Sequence, residues 1–335
     1  MTIKKLTVIA VAGAALLAGA IGISKSLTTP REMEMEVSET PADQEESGVK
    51  TLGDMENIPL YYDETEKLLL PLRNVMEGLG GSVKWNTETK KTEVTYRGRT
   101  LALVAGEKQA TLNGYEVTLP AVAEVINGCL YADEKLISAY YTGDVDFHAE
   151  TRQVTLQAKD STEPVMAVNV ITGEKDGLTY EVEVPVIVGL NDTKYEKNLN
   201  ESLQQELQAD IDAFLQAEKK NDGRLELKAN AGMCTKDFLS IYWEGMQDGV
   251  SVKLAKNFDL LGQKEVTLAD MLNESALKAL QAAAAADWAE ESFFLTADGN
   301  LTLFANSEEG VHHWGADFEK PEWKGNYKEV FRTKE

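Results

Sequence analysis

The sequence predicts an α+β fold: two small domains, each of antiparallel strands with a few packed helices, after an N-terminal apolar helix. Three observations support this prediction. An uncharged apolar run occupies residues 6–23. A strand-like motif at Gly81 returns at Gly143, a spacing of 143 − 81 = 62 residues. Residues 164–325 then combine alternating apolar segments with a long amphipathic helix pattern.

The first 25 residues are predicted to direct export. Lys4 and Lys5 precede the uncharged run from Leu6 to Ile23, and a basic start before an apolar stretch is typical of an export signal. As a helix this run would span roughly 27 Å, close to the thickness of a membrane core. Small residues at 18–20 suit a signal peptidase. Residues 1–25 are therefore either a cleaved signal peptide or an uncleaved anchor. We expect an extracytoplasmic protein, membrane-anchored or secreted, that meets the membrane only through residues 6–23.

Residues 26–50 are predicted to be an acidic disordered linker. They contain almost no large apolar side chains, so they cannot bury enough surface to offset the entropy of the chain. Their like charges repel one another and favour an extended segment. The acidic residues of this linker are Glu32, Glu34, Glu36, Glu39, Asp43, Glu45 and Glu46.

The overall charge limits the class of partner. The chain has 33 Lys and Arg against 56 Asp and Glu, a formal net charge of −23. This balance argues against nucleic acid as a partner, because phosphates require a basic face. It would steer a cationic partner towards the protein, although acidity for solubility alone is the simpler interpretation. A disulfide between Cys129 and Cys234 is an option outside the cytoplasm, but two buried thiols are the default expectation.

The first folded domain, residues 51–158, is predicted to consist of two similar halves. Each half has a short helix, at residues 72–79 and at 133–141, followed by a hairpin. Asn-Gly pairs lie between apolar, β-prone segments and favour tight turns, because both residues tolerate positive φ. These pairs are Asn113-Gly114 and Asn127-Gly128, and the two copies of the hairpin begin Gly81-Ser82-Val83-Lys84-Trp85 and Gly143-Asp144-Val145-Asp146-Phe147.

These motifs resemble the copper amine oxidase N-terminal-like domain of bacterial exported proteins. In that family the copper site and the quinone-forming tyrosine belong to a different domain. The resemblance therefore implies neither copper nor a quinone cofactor here, and Asn326-Tyr327 is followed by Lys328 where the quinone precursor needs an acid. The second copy departs from the family at Glu134-Lys135-Leu136. The matching segments are Leu70-Pro71-Leu72-Arg73, residues 79–86, Leu112-Asn113-Gly114 and Ile126-Asn127-Gly128.

The second folded domain, residues 164–325, opens with a strand at Tyr180–Val186, in which Pro185 indicates an edge or a bulge. A tail, residues 326–335, follows the domain. Further strands are predicted at 225–229, 238–243, 251–258, 293–296 and 301–304, and an alanine-rich helix at 268–288. One apolar stripe predicts a long helix with core-facing residues Leu199, Leu203, Leu207, Ile211, Phe214 and Leu215.

This second domain resembles the extracytoplasmic domain shared by lysozyme-sensing anti-sigma-V factors and some peptidoglycan deacetylases. The resemblance implies recognition of lysozyme, or an association with wall polymers. Relatives carry an alanine-histidine-glycine where this chain has Val250 to Lys253. A sigma-binding segment is not expected, since only five residues precede Leu6. The matching segments are residues 180–186, 198–200, 239–241, 257–260, 267–272 and 294–299.

The candidate site is a partner-contacting aromatic loop formed by His312, His313, Trp314 and Gly315. Adjacent histidines in an extended segment point to opposite sides, which makes them poor chelators of one metal ion. A plain surface role remains the competing interpretation. Phosphate-loop, dinucleotide and nucleophile-elbow motifs are absent from the sequence, so no catalytic residue, cofactor or metal is predicted.

The sequence as a whole therefore predicts an exported, non-catalytic binding or stalk protein of the cell envelope. Its expected partner is a cationic protein such as lysozyme. The alternative is a peptidoglycan-binding module or an accessory subunit of a wall-modifying enzyme.

Overall fold

A computed structural model describes residues 49–52, 59–62, 67–148, 150–151, 153–158, 163–218, 221–283, 292–314 and 324. The predicted N-terminal helix, most of the linker and the tail at 326–335 lie outside these residues. Among the residues described, no helix is both long and apolar enough to span a membrane.

The first half of the described chain consists of short strands and two short helices. Helix α1 begins directly after Pro71, and its apolar side chains Leu72, Val75 and Met76 are buried. The elements are β1 (Val49–Leu52), β2 (Leu60–Tyr62), β3 (Lys67–Pro71), α1 (Leu72–Gly78), β4 (Ser82–Asn86), β5 (Lys91–Tyr96), β6 (Arg99–Leu103), β7 (Gln109–Leu112), β8 (Tyr115–Thr118), β9 (Glu124–Ile126), β10 (Cys129–Asp133), α2 (Glu134–Tyr140), β11 (Thr142–His148) and β12 (Gln153–Ala158).

The second half has longer strands and one long helix. Asp192 begins that helix by accepting hydrogen bonds from the backbone of Lys194 and Tyr195. The elements are β13 (Val165–Lys175), β14 (Leu178–Val188), α3 (Thr193–Gln216), β15 (Arg224–Cys234), β16 (Phe238–Gln247), β17 (Val250–Asp259), β18 (Lys264–Glu265), α4 (Leu268–Met271), α5 (Glu274–Ala283), β19 (Phe293–Leu295), β20 (Leu301–Ser307) and β21 (Gly310–Trp314).

The two halves of the repeat meet at a pair of equivalent strands. Strands β3 and β10, which precede the two helices, pair antiparallel with Leu70 opposite Ala132. These residues are 132 − 70 = 62 positions apart, which is the period of the sequence repeat. Leu70 therefore lies opposite its own repeat equivalent, Ala132, in the sheet of order β2-β3-β10-β9. The two hairpins lie in separate sheets, of order β4-β5-β6-β7-β8 and β1-β12-β11.

Both Asn-Gly pairs form the tight turns that the sequence predicts. Asn113 and Gly114 have φ values of 49° and 88°, and Asn127 and Gly128 have 51° and 82°. Positive φ at both central residues is the requirement of a type I′ turn. The first pair joins β7 to β8 and the second joins β9 to β10.

The second half is organised by a six-stranded sheet of order β13-β14-β15-β16-β17-β18. Its pairs are antiparallel except β14 with β15, which are parallel and joined through α3. A parallel pair needs such a crossover, so the long amphipathic helix also determines the topology. The α3 side chains that the stripe placed in the core are buried, with Leu215 only partly so.

Pro185 lies where the sequence placed it, at a locally open side of β14. Pairing with β15 ends at Val182. Beyond that point the side chain of Asn200 takes the place of a strand: its amide accepts from the Ile187 N–H and donates to the Ile187 carbonyl, both at 2.8 Å. Helix α3 therefore satisfies the backbone of β14 where β15 no longer does.

The apolar cores cross the expected domain border. Val165, Ala167, Val186 and Val188, at the outer ends of β13 and β14, are buried in the same cluster as the repeat. A second cluster lies between α3 and the six-stranded sheet, and a third lies under α4 and α5. The described residues from 49 onwards belong to one compact unit. Independent folding on either side of residues 158–164 stays a prediction.

Two expectations, one about the alanine-rich helix and one about the cysteines, need correction. The predicted helix at 268–288 is interrupted at Leu272, and its described part consists of α4 and α5. The break follows from two separate caps: Thr267 and Asp270 form a capping box, and the Asn273 side chain accepts from the Ala276 N–H at 3.0 Å. The two cysteines are thiols, as expected by default, but they are half-buried instead of buried.

Candidate functional site

The predicted site segment lies on an edge strand. His312, His313 and Trp314 belong to β21, the last strand of a three-stranded sheet of order β19-β20-β21. The expectation of a loop is therefore wrong: the segment continues the β20 hairpin, with His313 opposite Phe304 and His312 opposite Ala305. Gly315 lies outside the described residues.

The two histidines are exposed and belong to opposite faces of β21, as neighbours in a strand must. The ring of His312 lies 3.1 Å from Ser307 Oγ. Glu308 and Glu309, both exposed, form the turn between β20 and β21. We call Glu308, Glu309, His312 and His313 the β21 surface. In the described part of the chain, no group of three or more His, Cys, Asp or Glu is arranged to hold a metal ion.

Behind this strand lies a buried lysine that the sequence interpretation did not identify. Lys253, on β17, is only 5% exposed. Its Nζ lies 2.6 Å from the carboxylate of Glu244 on β16. Three aromatic rings surround the ammonium group, an arrangement in which the negative ring faces attract the cation. The distances from Nζ to the ring centres are 5.4 Å for Tyr242, 5.0 Å for Phe294 and 6.0 Å for Phe304.

These rings come from two different sheets, so the lysine site depends on how the sheets are docked. Tyr242 of β16 stacks on Phe294 of β19 with ring centres 4.1 Å apart. The side chain of Asn306 on β20 pairs with the backbone of Lys253, accepting from its N–H at 2.9 Å and donating to its carbonyl at 2.8 Å. Asn306 thus satisfies backbone groups of β17 that no neighbouring strand among the described residues pairs with, as Asn200 does for β14.

A second polar contact joins the same sheets inside the molecule. Ser240 Oγ donates to Asn257 Oδ1 at 2.7 Å and accepts from the Leu295 N–H at 2.9 Å. The Asn257 amide donates to the Phe293 carbonyl at 2.9 Å. All of these groups are buried, and satisfied buried hydrogen bonds favour one arrangement of the two sheets.

The sequence contains a signal that could have found the ion pair. Asp248 and Gly249, with φ of 51° and 83°, form the tight turn between β16 and β17. When residues are paired outward from this turn, Glu244 is placed opposite Lys253 in the hairpin. The aromatic neighbours could not be found in this way, because Phe294 and Phe304 lie some 40 to 50 residues further along the chain.

The same cluster acts on His313. Partial burial and the positive charge of Lys253 lower the pKa of His313 below its ordinary value of 6.5, and the carboxylate of Glu244 opposes the shift. A neighbouring cation disfavours the protonated imidazole. His313 is therefore more readily neutral than a histidine in water.

We expect this shift to appear in a proton titration. The His313 ring should titrate below pH 6.5 by NMR. Because the folded state disfavours the imidazolium, the unfolded state binds more protons just below that pH, and stability should fall as pH drops from 7 to 5. His313→Gln removes this part of the pH dependence. A His313 pKa at or above 6.5 would contradict the proximity to Lys253.

Comparisons with known proteins agree with part of the sequence interpretation. Residues 50–188 match the family described as the copper amine oxidase N-terminal domain. This region of the chain is therefore a copper amine oxidase N-terminal-like domain, and the match runs to the last residue of β14. It thus includes the strands whose ends pack into the core of the repeat.

Two further similarities are weaker. A protein of Brevibacillus choshinensis named "Protease inhibitor" is 24% identical over 218 residues, which is 61% of this chain and 67% of that protein. The crystal structure of a DUF3298 family member from Bacteroides fragilis covers 56% of this chain and 96% of its own. Its TM-score of 0.33 and identity of 10% are too low to carry an argument.

Proposed function

We propose that this protein is a non-catalytic, exported binding module of the cell envelope that recognises a cationic protein such as lysozyme through the β21 surface. The observation that carries the proposal is the composition of that edge strand. Exposed carboxylates and imidazoles flank β21, while Lys253 behind it is buried and neutralised by Glu244. The surface thus presents negative and hydrogen-bonding groups to a basic partner.

The comparisons support a binding role more than an enzymatic one. The matched family is a non-catalytic domain of its enzymes. The Brevibacillus choshinensis relative is named for an action on other proteins. Lysozyme as the partner rests on the resemblance of the second domain to lysozyme-sensing anti-sigma-V factors. Export rests on residues 6–23, and protease digestion of intact cells tests it.

Calorimetric titration of the full chain with lysozyme tests the proposed partner. Heat of binding is expected at low salt and should decrease at high salt, since exposed charges are screened beyond about 10 Å at 0.1 M. Trp314 follows His313 in β21 and is the aromatic residue of the predicted site, so Trp314→Ala should weaken binding by about 2 kcal/mol, as loss of an aromatic anchor does. Trp85→Ala is the matched control, because Trp85 is 55% exposed on β4 of the repeat and should leave binding unchanged.

The results of these binding experiments distinguish recognition of lysozyme from binding of a wall polymer. No heat at low salt from a demonstrably folded protein would exclude lysozyme as the partner. Retention on purified peptidoglycan together with indifference to lysozyme would instead support the alternative, a wall-polymer module or an accessory subunit of a wall-modifying enzyme.

A further inference from the structure

Strand β13 forms the first edge of the six-stranded sheet. It pairs with β14 over its whole length, from Val165 to Lys175. Within the residues that the structure describes, no strand pairs with its other side. The first part of this edge packs against the repeat, but its exposed end, from Thr172 to Lys175, offers backbone donors and acceptors to a chain in an extended conformation.

The hydrogen bonds show which backbone groups face outward. The Val170 N–H donates to Thr118 Oγ1 at 3.0 Å, so it points away from β14. Pro185, which has no N–H, lies opposite Val168, as expected for a pair that exchanges no hydrogen bonds. Because strand residues alternate, the N–H and carbonyl groups of Thr172 and Glu174 also point to the open side.

A cleft of about 440 Å³ lies against this edge. Residues 169–171 of β13 form one wall, and one face of the five-stranded sheet forms the other. That face carries the polar side chains of Gln109 and Thr111. The charged side chains of the lining are Glu107, Glu116 and Lys91.

We propose that this cleft binds an extended peptide segment with basic side chains, which adds to β13 as a further strand alongside Val170–Glu174. Main-chain hydrogen bonds to Thr172 and Glu174 would fix the register of the peptide against β13. Every second side chain of the peptide would lie over the face of the five-stranded sheet. In the lining of the cleft, Glu107 and Glu116 outnumber Lys91 and favour a basic occupant. Five residues of strand span roughly 17 Å. This site is separate from the β21 surface and does not depend on lysozyme as the partner.

The full-length chain, labelled with ¹⁵N, is to be titrated with acetyl-Lys-Val-Lys-Val-Lys-amide and, for comparison, with its Glu-Val-Glu-Val-Glu counterpart. The basic peptide should slow hydrogen exchange at the amides of Thr172 and Glu174 at least tenfold. Thr172→Pro removes one outward donor at an edge position that proline tolerates, and it should weaken binding at least tenfold. Thr172→Val keeps the donor and should bind within twofold of the unmodified chain.

Four results would overturn the proposal. The first is no protection of these amides at millimolar peptide, and the second is equal binding of the acidic peptide. The third is a folded Thr172→Pro variant that binds as Thr172→Val does. The fourth is protection that depends on protein concentration without peptide, which would assign the edge to a second copy of this chain.

Discussion

Replacing Gly232 with alanine is expected to destabilise the protein by about 3 kcal/mol, the upper part of the range for overpacking a close contact. Gly232 lies in β15, where the pairing with β16 shifts register between Ala231 and Cys234. A Cβ atom at this position would lie 2.0 Å from the carbonyl oxygen of Leu295. That oxygen belongs to backbone, so a side-chain rotation cannot relieve the clash.

The effect should extend to the lysine site. Leu295 is in β19, the strand that also contributes Phe294 to the rings around Lys253. To accept a methyl group at Gly232, the three-stranded sheet would have to move away from the six-stranded sheet. We therefore expect Gly232→Ala also to weaken the buried hydrogen bond between the Leu295 N–H and Ser240 Oγ.

Urea denaturation of both glycine variants measures this effect. Gly143→Ala is the control, because its nearest neighbour, the Gln157 carbonyl oxygen, would lie 3.8 Å from the new Cβ. It should change the free energy of unfolding by no more than about 1 kcal/mol. Equal midpoints for Gly232→Ala and the unmodified protein would show that the two sheets are not in contact at this point.

Local patterns predicted the elements of the repeat well, because the forces that form them act over a few residues. The turns at Asn113 and Asn127 need only residues that tolerate positive φ. The helices follow from short apolar groups such as Leu72, Val75 and Met76, which the structure buries on one side. The period of 62 residues then relates one half to the other without any tertiary information.

Patterns that depend on distant partners were less informative. Strand β13 was not predicted, since its buried residues Val165 and Ala167 pack against the repeat and its later residues are partly or fully exposed. The alanine-rich helix was predicted as one element, because helix propensity is high throughout and the competing cap at Asn273 is a single residue.

The candidate site shows the same division. His312 and His313 could be singled out from the sequence, but the strand that holds them is defined by its pairing with β20. The rings around Lys253 come from residues 242, 294 and 304, which no periodicity within one element connects. The burial of His313 and its proximity to Lys253, which together lower its pKa, could therefore be seen only in the folded chain.

The second large effect is expected at Lys253 itself. Lys253→Glu would place a carboxylate among three ring faces and beside Glu244, which now lies 2.6 Å from the ammonium group. The new carboxylate would be buried without a partner, which is costly, and both Glu244 and the negative ring faces would repel it. We expect a loss of about 4 kcal/mol in the free energy of unfolding, comparable with breaking a buried ion pair.

Lys253→Met separates the role of the charge from the role of the volume. Methionine fills a similar space against the rings, and Glu244, whose side chain is 54% exposed, stays solvated without its partner. The loss should therefore stay within about 1 kcal/mol. Lys228→Glu is a matched charge reversal on the surface: its side chain is 64% exposed and 3.3 Å from Glu226. It should cost about 1 kcal/mol or less.

Thermal and urea unfolding of the three variants distinguish two interpretations of the cluster. If Lys253→Met keeps nearly the stability of the unmodified protein while Lys253→Glu loses much of it, the rings form an apolar contact between the two sheets that tolerates a cation. If Lys253→Met loses as much as Lys253→Glu, the ammonium group itself holds Tyr242 and Phe294 together. Under either interpretation, the lowered pKa of His313 should rise towards 6.5 in Lys253→Met, because the repelling charge is gone.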